Sequence, residues 1–403
     1  MMTNLLLVVA LLGTLTSFAF FLLVVTAVVK RRLAHRNPPR GVFQPAISVL
    51  KPVHGMEPRL AESLESFFRQ DYPNYELIFC ARHAHDPALL LAEQLGAKYP
   101  NVRVKIITSG EPKWTNAKVY SLARMTEEAD NELIVISDSD VRVTPEYLRE
   151  IVRPMENERV GLVTCVYRGV SVDGFWSSLE ALGMSVEMTS GVLVAEMLEG
   201  MKFALGPTMV TRKSCVRAVG GFEAFADYCA DDYVLGNLIE KHGHKVVLSD
   251  YSVDHIVVHR SLAESLKHQV RWMRSTRFSR PKGHVGTVLT FAMPFGVLGL
   301  SAGVLGSHPI LGTSIFLATY LQRVMQSVIA GYCAVGDRHA LTRSWLYPVR
   351  DLLGFFLWCG SYLSSKIDWR AEVYRLTTGG RMIRANTGAT IAPFTSSSAE
   401  TPN

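Results

Sequence analysis

Asp138 and Asp140 follow directly on the apolar run Leu133-Ile134-Val135-Ile136-Ser137. In an extended segment residues two apart project to the same side, so both carboxylates aim one way. Two like charges that close raise each other's pKa, and a divalent cation with an anionic ligand removes the conflict. Asp and Ser also serve as turn formers at strand ends, and the position of this pair after a βαβαβ series is what favours the cation. Asp86 has a similar double reading, because Asp before Pro87 is a common way to cap and open a helix. Asp231 and Asp232 come after the turn Val219-Gly220-Gly221-Phe222 and open a helix expected from about residue 233 to 241. Acids suit a helix N-terminus, and two adjacent carboxylates also make a catalytic pair. A base that receives the proton of an attacking hydroxyl contributes about 10² to 10⁴ in rate.

A second group of residues is cationic. His268-Gln269-Val270-Arg271-Trp272 is followed by Arg274, Arg277 and Arg280, three apart and therefore along one stripe of a helix until Pro281 ends it. Beside a membrane such a stripe is expected to touch lipid phosphates. Arg271 and Trp272 differ, since a guanidinium fork beside an indole can grip a phosphorylated leaving group. The other histidines, including His242, His244, His255 and His259, have no carboxylate or cysteine at metal-ligand spacing and read as ordinary polar residues. The six cysteines lie far apart and read as reduced thiols.

These residues need elements to position them. Short apolar runs at 47–51, 76–81, 102–108 and 133–137 alternate with helical patterns at 57–69, 87–98 and 117–128, which signals an α/β domain. Open parallel sheets bind ligands beyond the carboxyl ends of their strands, so the loops after Lys51, Ala81, Thr108 and Ser137 should converge on one crevice. Residues 175–205, rich in Trp, Met, Leu and Val with Glu180, Glu187, Glu196 and Glu199 interspersed, read as a core helix or as an interfacial helix admitting a lipid headgroup.

The ends of the chain belong to a different solvent. Its 403 residues are 48% apolar and 19% charged, with a mean hydropathy of +0.16. That balance excludes a disordered chain, a coiled coil and a small disulfide scaffold. Residues 5–29 carry no charge and cover roughly 37 Å as a helix, more than the roughly 30 Å of a bilayer's hydrocarbon. Lys30, Arg31, Arg32, Arg36 and Arg40 follow, so the N-terminus should face outward and the remainder begin inside. Residues 285–336 carry the single charge Arg323 and break near Gly306 to Pro309, giving two expected spans. Residues 352–365 are too short to cross and are expected to be re-entrant or interfacial, followed by a cytoplasmic tail, 367–403, disordered beyond Thr377. The net charge of +6 clusters beside these ends, which fits a membrane surface and not a nucleic-acid groove.

Asp86, Asp138-Ser139-Asp140, Asp231-Asp232 and His268-x-x-Arg271-Trp272 occur in the order and spacing of the D, D-x-D, D and (Q/R)-x-x-R-W series of GT-A glycosyltransferases. More narrowly, the chain resembles the ceramide glucosyltransferase family and its bacterial relatives, including hopanoid-modifying glycosyltransferases. The resemblance covers about residues 48–280 and includes Leu50-Lys51-Pro52, Gln70-Asp71-Tyr72-Pro73, Asp86-Pro87-Ala88 and Ala230-Asp231-Asp232-Tyr233. It implies a Rossmann-like, mostly parallel GT-A domain over 31–284, between an N-terminal anchor (1–30) and a C-terminal membrane region (285–366) at the inner membrane. It implies that Asp86 contacts the nucleoside of a UDP-sugar, that Asp138 and Asp140 hold the diphosphate through Mg²⁺ or Mn²⁺, and that Asp232 is the catalytic base. Lys118, Asp231, His268, Arg271 and Trp272 would complete the donor site. His268 stands where the family more often has Gln or Arg, and Asp140 where eukaryotic ceramide glucosyltransferases have Gly. The expected reaction is inverting transfer of one hexose to a lipid hydroxyl, UDP-glucose to ceramide first. The alternatives are N-acetylglucosaminyl transfer to a hopanoid polyol, a processive polysaccharide synthase, and a non-catalytic membrane scaffold.

Overall fold

Eleven strands are present among the described residues, which are 1–34, 43–259, 261–369 and 372–385 of a computed structural model. They are β1 (Ile47–Pro52), β2 (Tyr75–Ala81), β3 (Arg103–Thr108), β4 (Leu133–Ser137), β5 (Val141–Arg142), β6 (Val160–Ser171), β7 (Thr208–Arg212), β8 (Lys245–Val257), β9 (Lys366–Trp369), β10 (Glu372–Leu376) and β11 (Met382–Arg384). The first eight form one sheet in the order β3-β2-β1-β4-β7-β6-β8-β5. β1 pairs in parallel with both β2 and β4, with Ile47 opposite Leu133 and Leu50 opposite Ile136. β7 then runs antiparallel to β4 and β6, and β6 is parallel to β8. β1 and β4 are buried at every position, as parallel strands covered by helices on both faces must be, and this is why they read as unbroken apolar runs. The order turns from 1-2-3 to 4 across β1, so the switch point lies between the carboxyl ends of β1 and β4.

The crossover helices Pro87–Lys98 and Ala117–Glu128 have the expected bounds. The helix expected over 57–69 is shorter, Leu60–Phe68, because Arg59 adopts a left-handed φ of 63° and sets its start. The helix expected from residue 233 begins at Asp231 instead, so the acid pair forms its first turn.

The N-terminal helix runs Met2–Ala34. Met293–Leu305 and Pro309–Gln326, the latter continued by a π-helical stretch Ser327–Ala334, pack against it and each other. Small residues make that approach close, since a methyl group built at Gly303 would lie 2.7 Å from the Gly312 Cα. By length and composition Met2–Ala34 and Phe175–Glu199 are able to cross a membrane, and the pair Pro281–Thr290 and Met293–Leu305, bent by 47°, adds a third candidate. Of the stretch 285–336, the bent pair, which starts at Pro281, is the part long and apolar enough to be such a candidate, while Pro309–Gln326 is followed by π geometry. Phe175–Glu199 buries Leu179, Leu182, Val186 and Leu193 in the same core as Ile136 and Leu162. Residues 352–365 belong mainly to the helix Tyr347–Ser361, about 22 Å long.

One expectation is corrected. Residues 378–384, assigned from composition to a disordered tail, form a tight turn and β11. β9, β10 and β11 make an antiparallel sheet whose Ile367, Tyr374, Leu376 and Met382 bury a small core with Cys229. Four well-spaced apolar side chains with a surface to cover outweigh the Gly and Thr between them. The sequence readings that involve Arg36, Arg40, Arg370 and residues 386–403 lie outside the described residues.

Candidate active site

β4 ends at Ser137, and Asp138 and Asp140 lie in the turn that follows it rather than on the extended segment expected, with Val141 N donating to the Asp138 carbonyl, while the neighbouring β1 delivers Lys51. Lys51 is fully buried, with its ammonium 3.7 Å over the Phe67 ring. It donates to Ser137 Oγ at 3.3 Å and to the Asp138 carbonyl at 2.5 Å. Burial lowers its pKa to about 7 against the opposing pull of Asp138 and Asp140. The signal in the sequence is a lone cation at the end of a mainly apolar strand.

Asn116 caps the helix Ala117–Glu128 by accepting from Lys118 N and Val119 N. It also donates to the Tyr228 carbonyl at 2.8 Å, while its own N–H reaches Ala226 O at 2.8 Å. These bonds tie the helix start to the loop that leads into Asp231. Lys118 consequently lies 2.6 Å from Asp138 Oδ1 and 3.8 Å from Asp231 Oδ2. Burial lowers its pKa, but Asp138 and Asp231 outweigh burial and the net shift is upward.

Asp232 and Asp138 converge beside Gly206. A methyl group at Gly206 would sit 3.1 Å from Asp232 Oδ2 and 3.6 Å from Asp138 Oδ2, so the absent side chain leaves the space between the two carboxylates open. Asp232 Oδ1 accepts from Tyr233 N at 2.8 Å. Burial, with the adjacent Asp231 adding to it, pushes the Asp232 carboxyl up to about 6, and burial likewise raises Asp231. Burial raises the Tyr167 phenol, and the charges of Asp232, Asp140 and Asp138 add to it.

Asp140 Oδ2 lies 3.6 Å from His255 Nε2. Its Oδ1 is buried without a hydrogen-bond partner, as is Asp231 Oδ2. Buried carboxylate oxygens are seldom left so, and the free oxygen of Asp140 is of the hard kind that a divalent cation takes.

Asp86 has different company. It accepts from Gly55 N at 2.9 and 3.1 Å and from Ala88 N at 2.9 Å, so it caps its helix and holds the loop after β1. Its partners are these backbone groups and His54, 3.7 Å away, and not the other acids.

The helix Leu262–Ser279 carries the cationic group. His268 Nδ1 lies 2.7 Å from Glu180 Oε1, and its ring packs 4.4 Å from both Trp272 and His259. The Arg271 guanidinium stands 5.7 Å over the Trp369 ring of β9. The stripe expected at lipid phosphates is occupied differently. Arg274 donates to Lys366 O and Arg277 to Ser361 O, so these two hold the C-terminal segments by their carbonyls, while Arg280 lies over the Phe203 ring. A small cavity opens between Arg82, Thr115, Ala117 and Lys118 on one side and Trp369, Glu372 and Tyr374 on the other. Trp369, Glu180 and His255 were not among the expected residues, because nothing in their local spacing links them to the site.

The chain is 25% identical over 356 residues to ceramide glucosyltransferase 1 of Caenorhabditis elegans, covering 87% of this chain and 76% of that protein. It is 25% identical over 383 residues to ceramide glucosyltransferase 3 of the same organism, covering 93% and 82%. Among solved structures, the mannosyltransferase of Pyrobaculum calidifontis in complex with GDP-Man and Mn²⁺ aligns at 16% identity with a TM-score of 0.48, over 87% of this chain and 99% of that one. The model of glycosyl transferase family 21 matches residues 9–382, and the chain belongs to that family of sugar-nucleotide-dependent transferases.

Proposed function

We propose that the protein is a membrane-bound inverting hexosyltransferase that moves one sugar from a UDP-sugar to a lipid hydroxyl, with UDP-glucose and ceramide as the first pair to test. The observation that carries this reading is the convergence of the Asp138 and Asp232 carboxylates beside Gly206, with Lys118 bound to the former. Asp232, with a pKa near 6, is largely ionised at neutral pH and is the group to receive the acceptor proton. Lys118 and Arg271 would bind the diphosphate, while Trp369 and Tyr374 would shield the donor side from water. Asp138 and Asp140 would hold Mg²⁺ or Mn²⁺, whose charge would neutralise the departing nucleoside diphosphate. With the base on one face of the sugar and the leaving group on the other, displacement inverts the anomeric carbon.

The relatives named as ceramide glucosyltransferases support a lipid acceptor, and so does the join between domain and anchor. Arg31, at the end of the N-terminal helix, binds Glu196 at 2.8 Å and Asp250 at 3.0 Å and donates to the carbonyls of Leu248 and Ser249. The catalytic domain therefore adjoins the basic end of the anchor, and the charge rule assigns that end to the cytoplasm. The deciding experiment incubates membranes containing the protein with labelled UDP-glucose or UDP-N-acetylglucosamine and ceramide or a hopanoid polyol, with and without chelator. A chelator-sensitive single-sugar ceramide product is expected. Long polymer, or no product with any pair, overturns the reading.

A further inference from the structure

We propose that Glu180, His259 and His268 form a second metal site, distinct in chemistry from the aspartates at the end of β4, that takes a borderline-soft divalent ion such as Zn²⁺. Glu180 lies in the apolar helix Phe175–Gly183 and is 2% exposed. His268 Nδ1 approaches its Oε1 at 2.7 Å and His259 Nδ1 its Oε2 at 3.2 Å. The three ligand atoms lie within 4.8 Å of one another.

Three features suit these residues to an ion. The first is the donor set. Two imidazoles and one carboxylate, with a fourth position left for water, are the protein ligands of many zinc centres, whereas hard ions take oxygen alone. The second is the surroundings of the carboxylate. Ser265 Oγ donates to Glu180 Oε2 at 2.6 Å, and Gln269 Nε2 donates to Ser265 Oγ at 2.8 Å. Such outer hydrogen bonds fix the orientation of a ligating group. The third is access, since the His259 and His268 side chains remain 23% and 19% exposed while Glu180 is covered.

The arrangement is also closed without a metal, with each Nδ1–H donating to the carboxylate. Binding requires each imidazole to carry its proton on Nε2 instead, which costs neither ring its neutrality. The three ligands come from separate elements: the Phe175–Gly183 helix, the segment after β8, and the Leu262–Ser279 helix, whose start is fixed by the capping box of Ser261 and Glu264. An ion here joins all three. It thereby holds the His268 ring against Trp272, one residue from Arg271. Its role is positioning.

The test uses the full chain, purified in detergent without a histidine tag and stripped of metal. Zinc content is measured after equilibration and dialysis, and Co²⁺ binding is followed by its visible absorption. One equivalent is expected in the wild type and equally in an Asp138→Asn/Asp140→Asn double variant. Ser265→Ala should bind about 10- to 100-fold more weakly, and His259→Ala or Glu180→Gln more weakly still. His259 is the most exposed ligand, so its variant remains informative if Glu180→Gln fails to fold. A wild type that retains no equivalent, or a His259→Ala variant that retains as much as the wild type, overturns the proposal. Metal uptake is read without donor or acceptor, so this outcome is separate from the fate of the proposed reaction.

Discussion

Lys118 Nζ and Asp138 Oδ1 are 2.6 Å apart, joining the first turn of a crossover helix to the end of the strand that follows it. Asp231 stands 3.8 Å away on the same ammonium, so one cation serves acids from two distant parts of the chain. The pair is half-buried, so removing one member costs less than the about 3 to 5 kcal/mol of a fully buried pair. Lys118→Met should lower the melting temperature of the metal-free protein, and added Mn²⁺ should recover part of the loss. A variant that melts like the wild type in chelator would remove this role.

Asp232→Asn should cut sugar transfer by about 10² to 10⁴ while leaving UDP-sugar binding nearly unchanged by calorimetry. The base works ionised, so wild-type kcat/KM should rise with pH through about 6, the position to which burial pushes this carboxyl. The acid limb should vanish in the residual activity of the variant.

Lys51 makes stability depend on pH in a stated direction. Its pKa is about 7 when folded, against an ordinary value of 10.5, so between these limits the unfolded chain binds more protons and stability rises with pH. Below pH 7 both states are protonated and the penalty of burying the charge is complete. Lys51→Met should therefore gain most over the wild type near pH 6.5 and lose that advantage towards pH 9, by at most about 1.4 kcal/mol per pH unit. Melting curves of both proteins at the two pH values read this directly.

Trp369→Ala should raise the KM for the donor about two- to fivefold, the equivalent of a cation–π contact of about 0.5 to 1 kcal/mol, with a smaller effect on kcat. Arg271 loses the ring beneath it, and the cavity beside Lys118 loses one wall. An unchanged KM would detach the C-terminal sheet from donor binding.

In the C-terminal helices Arg323 pairs with Asp351 at 3.1 Å, and Asp351 also accepts from Ala292 N and Met293 N. Both side chains are almost wholly buried. Asp351→Ala should cost about 3 to 5 kcal/mol, visible as aggregation or a lowered melting temperature in detergent. Arg323→Met with Asp351→Ala should recover part of it.

The parts of this protein that follow from neighbouring residues could be read along the chain. Short apolar runs placed β1 to β4, the alternation with helical patterns placed the helices 87–98 and 117–128, and the uncharged stretch before Lys30 marked a helix long and apolar enough to cross a membrane, because burial imposes its own pattern on neighbouring residues. Asp138 and Asp140 were visible for the same reason, being two apart at the end of an apolar strand. What no spacing contains is the company each side chain keeps. Glu180 meets His268 across 88 positions, and Asp138 and Asp232, far apart in the chain, come together only where the fold brings both beside Gly206. The C-terminal sheet is the clearest case. Its few apolar residues mean little alone and become ordered against Cys229 and the Leu262–Ser279 helix, since a surface that small is stable only when another element supplies its second half.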